Sequence, residues 1–293
     1  MLGMSSGLHH SIVSESFSPE QISTLVGWWD FTDLSNMFTD AGTTNVTAND
    51  DKIYRVNNKA YSLIATPNNA IGQYLQQTTE GSRPKFDSSV SGGHFDGSDD
   101  YLIAVRGGDP PDAGGISTAR LTDTVLNGQA VTIFYVAQAD SASVTGDQYL
   151  FHVNDDNNND RMSIYIKNDG SDDRWHFHLQ NNTARTNTEI NSGVDLTTSK
   201  QFWTVDLDGA SSGSFYVNGN EANGVTNGPT DNHNISLNDE SNVVNITLGR
   251  RTGASGGSDF LDGSIMEIIV YDAALSDADI VLVESYLKSK HGV

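Results

Sequence analysis

Four polar side chains alternate with three apolar ones along Arg174-Trp175-His176-Phe177-His178-Leu179-Gln180. On an extended chain successive side chains point to opposite faces. Trp175, Phe177 and Leu179 therefore share a face that reads as core. Arg174, His176, His178 and Gln180 share the other, and Tyr165 and Lys167 on the run Arg161 to Lys167 extend it. Such a face suits hydrogen bonding to sugar hydroxyls, with Arg174, His176, His178 and Tyr165 as the contacting residues. Two histidines at i and i+2 would also serve a metal ion. The plain alternative is a polar sheet face turned to solvent or to another subunit.

Asp155-Asp156-Asn157-Asn158-Asn159-Asp160 gathers hard oxygen ligands, which calcium prefers. Asp155, Asn157, Asn159 and Asp160 are the candidate ligands, and calcium is the one candidate cofactor. The segment lacks the glycine at the sixth position and the acid at the twelfth that an EF-hand loop requires. Its alternative reading is a solvated turn between strands. Asp96, Asp99 and Asp100 form a second, smaller cluster.

Catalytic constellations are weaker. Glycoside hydrolysis needs two carboxyl groups facing one another across a cleft. Glu267 and Asp272 are five residues apart, on opposite faces of a regular strand. Gly253-Ala254-Ser255-Gly256-Gly257 has the letters of a nucleophile elbow, but that device needs a strand before it and a helix after it, and here a strand follows. No catalytic residue is assigned, and the chain is read as a non-enzyme. Trp28-Trp29 would stack on a sugar ring or, with one ring inward, pack in the core.

The elements that must position these residues are strands. Phe202 to Gly209, Gly213 to Gly219 and Phe260 to Tyr271 alternate in polarity and carry Asp-Gly or Asn-Gly turns. Further strands are expected at 26–31, 50–56, 94–95, 101–105, 131–137, 149–153, 161–167, 174–180 and 243–248. No fixed-period repeat occurs, which argues against a propeller or solenoid. Ser18-Pro19-Glu20 has the cap, first-turn proline and acid of a short helix ending near Leu25. Ser276 to Asp279 opens a C-terminal helix whose stripe is Ile280, Val283 and Leu287, widened by Leu282 and Tyr286, and whose packing is expected on the sandwich edge. The expected organisation is an arm and short helix over 1–25 and one sandwich domain over 26–293.

Thirty-eight acidic residues against 16 basic ones give a formal charge of −22. That field repels phosphate backbones and anionic membrane surfaces, so neither nucleic acid nor membrane is an expected partner. The chain has no cysteine, which removes disulfides, thiolate catalysis and Cys-based zinc sites. No apolar run approaches the ~20 residues of a membrane-spanning helix. The first ten residues lack the basic and apolar regions of a secretory signal. Residues 1–17 are small and polar, an arm by composition. Leu2, Leu8, Ile12, Val13 and Phe17 are the side chains with which it would dock on a neighbouring subunit.

The order of these pieces resembles the laminin-G-like, concanavalin-A-like jelly-roll superfamily. The resemblance rests on Gly93-His94-Phe95-Asp96-Gly97-Ser98-Asp99-Asp100-Tyr101-Leu102, Ala130 to Val136, Phe202 to Gly209, Ser214 to Gly219, Thr247-Leu248-Gly249-Arg250 and Phe260 to Ser276. It implies an all-β, concanavalin-A-like jelly-roll β-sandwich with a short N-terminal helix and a C-terminal helix. Lectin-like sandwiches of this kind bind calcium through loops such as 155–160. The superfamily's glucanases carry Glu-x-Asp-x-x-Glu on one strand, and this chain has no such run.

Ser18 to Phe31, Asp33 to Thr44 and Ile53 to Ala60 resemble the front half of jelly-roll proteins on tailed-phage virions, especially marine ones. That resemblance implies a non-catalytic virion structural protein, as a capsid decoration, fibre or tail component made in the host cytoplasm. It would assemble through its arm with other virion proteins and with copies of itself, as a homo-oligomer. The alternative is a calcium-assisted carbohydrate-binding adhesion module that reads host surface glycans. A glycoside hydrolase is the remote third.

Overall fold

Period-two apolar patterning produces the strands of the described residues. A computed structural model describes residues 17–61, 72–105, 130–154, 161–170, 173–181, 186–207, 213–221, 226–227, 245–251 and 259–293. In chain order the strands are β1 (Leu25–Asp30), β2 (Met37–Phe38), β3 (Arg55–Asn57), β4 (Tyr74–Gln76), β5 (Lys85–Asp87), β6 (Gly92–Asp96), β7 (Leu102–Val105), β8 (Val131–Ala139) and β9 (Gln148–Asn154). They continue with β10 (Arg161–Lys167), β11 (Arg174–Asn181), β12 (Thr186–Asn191), β13 (Gln201–Leu207), β14 (Gly213–Val217), β15 (Asn220–Glu221), β16 (Thr226–Asn227), β17 (Asn245–Leu248) and β18 (Asp262–Tyr271). One helix, α1 (Asp277–His291), follows.

The strands form two antiparallel sheets, the expected sandwich. The eight-stranded sheet runs β15-β14-β13-β8-β18-β6-β5. One edge of the long β18 is shared, with β6 along 262–265 and β1 along 267–271. The ten-stranded sheet runs β16-β12-β11-β10-β9-β17-β7-β4-β3-β2.

Side chains pointing inward from both sheets make the main core, with Trp29, Phe95, Tyr135, Phe151, Trp175 and Trp203 among its largest members. Trp175 of β11 lies 6.0 Å from Tyr135 and 5.8 Å from Trp203 of the facing sheet. Each such aromatic pair is worth about 1 kcal/mol beyond its buried area. Trp175 thereby locks the strand that carries Arg174, His176 and His178.

A second core lies outside the eight-stranded sheet. Phe134 and Val136 of β8, Phe202 of β13 and Met266, Ile269 and Tyr271 of β18 pack beneath Ile280, Val283 and Leu287 of α1. This corrects the expected helix position: α1 covers a sheet face, not an edge. β8 and β18 are apolar on both faces and need cover on both. Leu282 is left 44% exposed, outside the stripe assigned to it. Ser276 Oγ accepts from Asp279 N, and Gly292 closes the helix in the left-handed conformation.

The expected N-terminal helix is a single 3-10 turn, Pro19–Gln21. Ile22 is already extended, because Leu25 pairs with Tyr271 and draws the chain into β1. Trp28 and Trp29 divide as alternation requires: Trp29 enters the main core and Trp28 the second. No described helix is long and apolar enough to cross a membrane.

Candidate functional site

The outer face of the eight-stranded sheet lies under α1, and the polar residues of β10 and β11 lie on the outer face of the ten-stranded sheet. Strand register sets the pattern of that second face. β9, β10, β11 and β12 are consecutive neighbours, so residues directly opposite one another form rows across them. One row reads His152, Ser163, His178, Glu189. The next reads Tyr149, Tyr165, His176, Asn191. A bulge in the pairing of β9 with β10 brings Tyr149 onto this face beside His152.

The rows are tightly bonded. The Tyr149 and Tyr165 rings stack with centroids 4.9 Å apart. Glu189 Oε1 accepts from Tyr165 Oη at 2.8 Å and from Lys167 Nζ at 2.8 Å, and lies 2.8 Å from His176 Nδ1. His152 Nδ1 and Ser163 Oγ are 2.8 Å apart. Thr247 of β17, opposite His152, bonds through Oγ1 to the carbonyl of Arg250.

This network sets the protonation states. His176 and the bonds from Lys167 and Tyr165 outweigh burial and hold the Glu189 carboxyl well below the usual range. Glu189 in turn raises Lys167 through their hydrogen bond. Burial, then Glu189, pushes the Tyr165 phenol far up, and burial lifts Tyr149 to about 12. Burial, reinforced by Arg251, Arg161 and His178, lowers His152 to about 3. The face thus keeps neutral tyrosines and a neutral His152 under a fixed carboxylate and fixed cations.

The four candidate sugar-contacting residues are brought together. Arg174 is half-buried, with Asp195 Oδ1 accepting from its Nη2 at 3.0 Å and its Nε at 3.2 Å. Tyr165, His176 and His178 are buried, so the strip is not the open polar face that alternation alone suggests. They form a supporting layer, and the tips of Lys167, Arg174, Arg161 and Gln180 stand above it as partly exposed groups. Sequence reasoning missed Tyr149, His152, Ser163 and Glu189. Tyr149 and His152 are hidden by the bulge, which breaks the alternation between them, and Glu189 lies in an Asn/Thr-rich run.

Arg250 and Arg251 leave the end of β17 toward the same face. Gly249 before them has a φ of +83°, and a Cβ there would collide with the Phe95 ring, so glycine is required. The Arg250 guanidinium lies 3.6 Å from the Tyr101 ring centroid and that of Arg251 5.9 Å from the Tyr149 centroid. Arg251 Nη1 is 3.7 Å from Asp259 Oδ2.

Asp155, Asn157, Asn159 and Asp160 lie outside the described residues, as do Leu2, Leu8, Ile12, Val13 and Ser255. Phe17 is described, with its ring edge-on to Tyr286 at 6.4 Å. Asp96, Asp99 and Asp100 do converge, with carboxylate oxygens within 4.8 Å of one another. They also build their own turn: Asp96 Oδ1 accepts from Ser98 N, and Asp100 Oδ2 from Asp96 N. Burial and the neighbouring Asp96 and Asp99 push Asp100 up to about 6. Glu267 is fully buried beneath α1, where Trp28, Tyr286, Lys290 and His291 bond to it, so its place is structural.

A family model for the concanavalin A-like lectin/glucanases superfamily, Laminin_G_3, matches residues 113–281. The chain belongs to that superfamily. Among solved structures it is similar to the Ruminococcus gnavus IT-sialidase CBM40 bound to alpha2,3 sialyllactose, at 20% identity and a TM-score of 0.42, over 54% of this chain and 84% of that one. It is also similar to a Trypanosoma rangeli sialidase, at 12% identity and a TM-score of 0.49, over 92% of this chain and 33% of that one. The NanB sialidase from Streptococcus pneumoniae matches at 20% identity and a TM-score of 0.41, over 53% of this chain and 24% of that one. No curated protein matches.

Proposed function

We propose that this chain is a non-catalytic glycan-binding module whose ligand surface is the outer face of the ten-stranded sheet. One observation carries the reading. Tyr165 on β10, His176 on β11 and Glu189 on β12, residues of three strands, form one cluster that fixes the Lys167 tip above it. Binding sites need such support, because a side chain already held in place loses less entropy when a ligand arrives. Membership of a superfamily named for lectins agrees with it. Glu267, the strand carboxylate nearest to a glucanase pattern in the sequence, is enclosed under α1. A glycan array with and without chelator tests the proposal. Binding of a defined glycan class supports it, with loss under chelator adding a calcium requirement. Silence across the array refutes it.

A second reading, a structural component of a tailed-phage virion assembling through residues 1–17, draws on a different observation. Phe17 packs on α1 beside Leu282, and Val281 on the same helix is 59% exposed. An arm leaving at that point has an apolar helix surface beside it. Deletion of residues 1–17 then abolishes incorporation into particles while the sandwich stays folded. Normal incorporation rules the reading out.

A further inference from the structure

Two arginines flank β9 on the proposed ligand face of a chain whose net charge is −22, one from β10 and one from the end of β17. Arg161 extends from the first residue of β10, and Arg251 from just beyond the end of β17. His152 and Tyr149 lie between them, with Arg251 over the Tyr149 ring and Tyr149 edge-on to His152 at 5.6 Å. Burial first, then Arg251 and Arg161, depresses His152, and burial first, then Arg251, depresses Arg161. Among the described residues Arg161 pairs with no carboxylate, and Arg251 pairs with Asp259 alone.

Three nitrogens here are enclosed and unpartnered: Arg161 Nε, Arg251 Nε and His152 Nε2. A buried donor without a partner is destabilising, so three at one place call for a physical reason. His152 is fully buried, and its other ring nitrogen meets the Ser163 hydroxyl. With that hydroxyl donating to Nδ1, Nε2 carries the hydrogen and becomes a third donor. The Asp259 carboxylate lies 3.7 Å from Arg251 Nη1 and leaves Nε free.

We infer that Arg161, Arg251 and His152 form a receptor for an anionic group, the carboxylate or sulfate of an acidic saccharide. The saccharide part rests on the glycan-binding reading above, and the anion receptor itself does not. Guanidinium groups match planar and tetrahedral oxyanions by charge-assisted hydrogen bonds. Tyr149 supplies a flat wall beside the group, and neutral His152 a donor beneath it.

The test follows the arginine Nε–H resonances by nuclear magnetic resonance, assigned by their loss in Arg161→Gln and Arg251→Gln. Sodium acetate and sodium sulfate are titrated at constant ionic strength against sodium chloride. Saturable shifts of both resonances with acetate, sulfate or both uphold the receptor, and the anion that saturates tells carboxylate from sulfate. Each glutamine variant then weakens that anion by about tenfold or more, with an unchanged circular dichroism spectrum. Linear shifts equal to those with chloride overturn it, as does saturation confined to other arginines.

A panel of neutral, carboxylated and sulfated glycans separates the two claims. Neutral glycans binding wild type while the acetate and sulfate shifts stay linear would sink the receptor and leave the glycan module. Saturable anion shifts with a silent panel would sink the glycan module and leave the receptor.

Discussion

His291 Nε2 lies 2.6 Å from Glu267 Oε2, joining the last turn of α1 to the middle of β18. Lys290 beside it bridges Glu267 at 2.9 Å and Asp30 at 2.7 Å, and Lys59 reaches Asp30 at 3.2 Å. Two buried carboxylates, each with cations, pin the helix over one sheet face.

Lys290→Met removes a cation that both carboxylates share. An uncompensated buried charge costs about 3–5 kcal/mol. Lys59 and His291 remain as partial partners, so a loss of about 2–3 kcal/mol is expected by urea denaturation. A change of less than about 0.5 kcal/mol would show that the helix is held by its apolar stripe alone.

Acid sensitivity follows from two groups. Burial alone would raise Asp30, but Lys290, Thr32 and Lys59 outweigh it and leave its folded value below the ordinary one. Its stabilisation is present above the unfolded value of about 3.8 and is lost as pH falls through the depressed folded value. His152 titrates near 6.5 unfolded and about 3 folded, so the unfolded chain binds the extra proton between those values. Stability is full above about 6.5 and falls as pH drops toward 3. The urea midpoint should therefore decline between pH 7 and 4.5, and His152→Asn should flatten that decline. Equal slopes in both proteins would refute the assignment.

The patterns readable in the chain were those with a clean period. Arg161 to Lys167 and the polar face of β11 stand where alternation places them, and Ser276 and Gly292 bound α1 by cap chemistry alone. β12 was not legible, because Thr-Asn-Thr-Glu-Ile-Asn offers Ile190 as its one apolar anchor and Asn and Thr favour turns. Its Glu189 was lost with it, and so was the hub of the site. The cover over β8 was legible in principle: Val131 to Ala137 is almost continuously apolar, the mark of a strand buried on both faces.

Glu189→Ala removes the acceptor shared by Tyr165 and Lys167 and leaves His176 without its carboxylate. Loss of a hydrogen bond to a charged group costs about 1.5–3 kcal/mol. A stability loss in that range is expected, together with higher mobility of the Lys167 side chain by relaxation measurements. Glu189→Gln should restore much of the stability, since an amide oxygen still accepts. Failure of glutamine to recover any of it would mean that charge, rather than hydrogen bonding, holds the layer.

Gly249→Ala puts a methyl group against Phe95 at a backbone angle that disfavours any side chain. Overpacking and strain together cost more than about 2 kcal/mol. The variant should melt well below wild type in calorimetry, whereas Gly81→Ala, with open space around its Cβ position, should not. Equal melting temperatures would contradict the packing described at the end of β17.

The most direct test measures affinity for a glycan found on the array with charge reversals on and off the proposed face. Lys167→Glu and Arg174→Glu alter the outer face of the ten-stranded sheet, and Lys85→Glu alters an exposed residue of β5 in the other sheet. A loss of about tenfold or more in the first two, with Lys85→Glu unchanged, is the predicted result. Equal affinity in all three variants, or a loss confined to Lys85→Glu, would contradict the account.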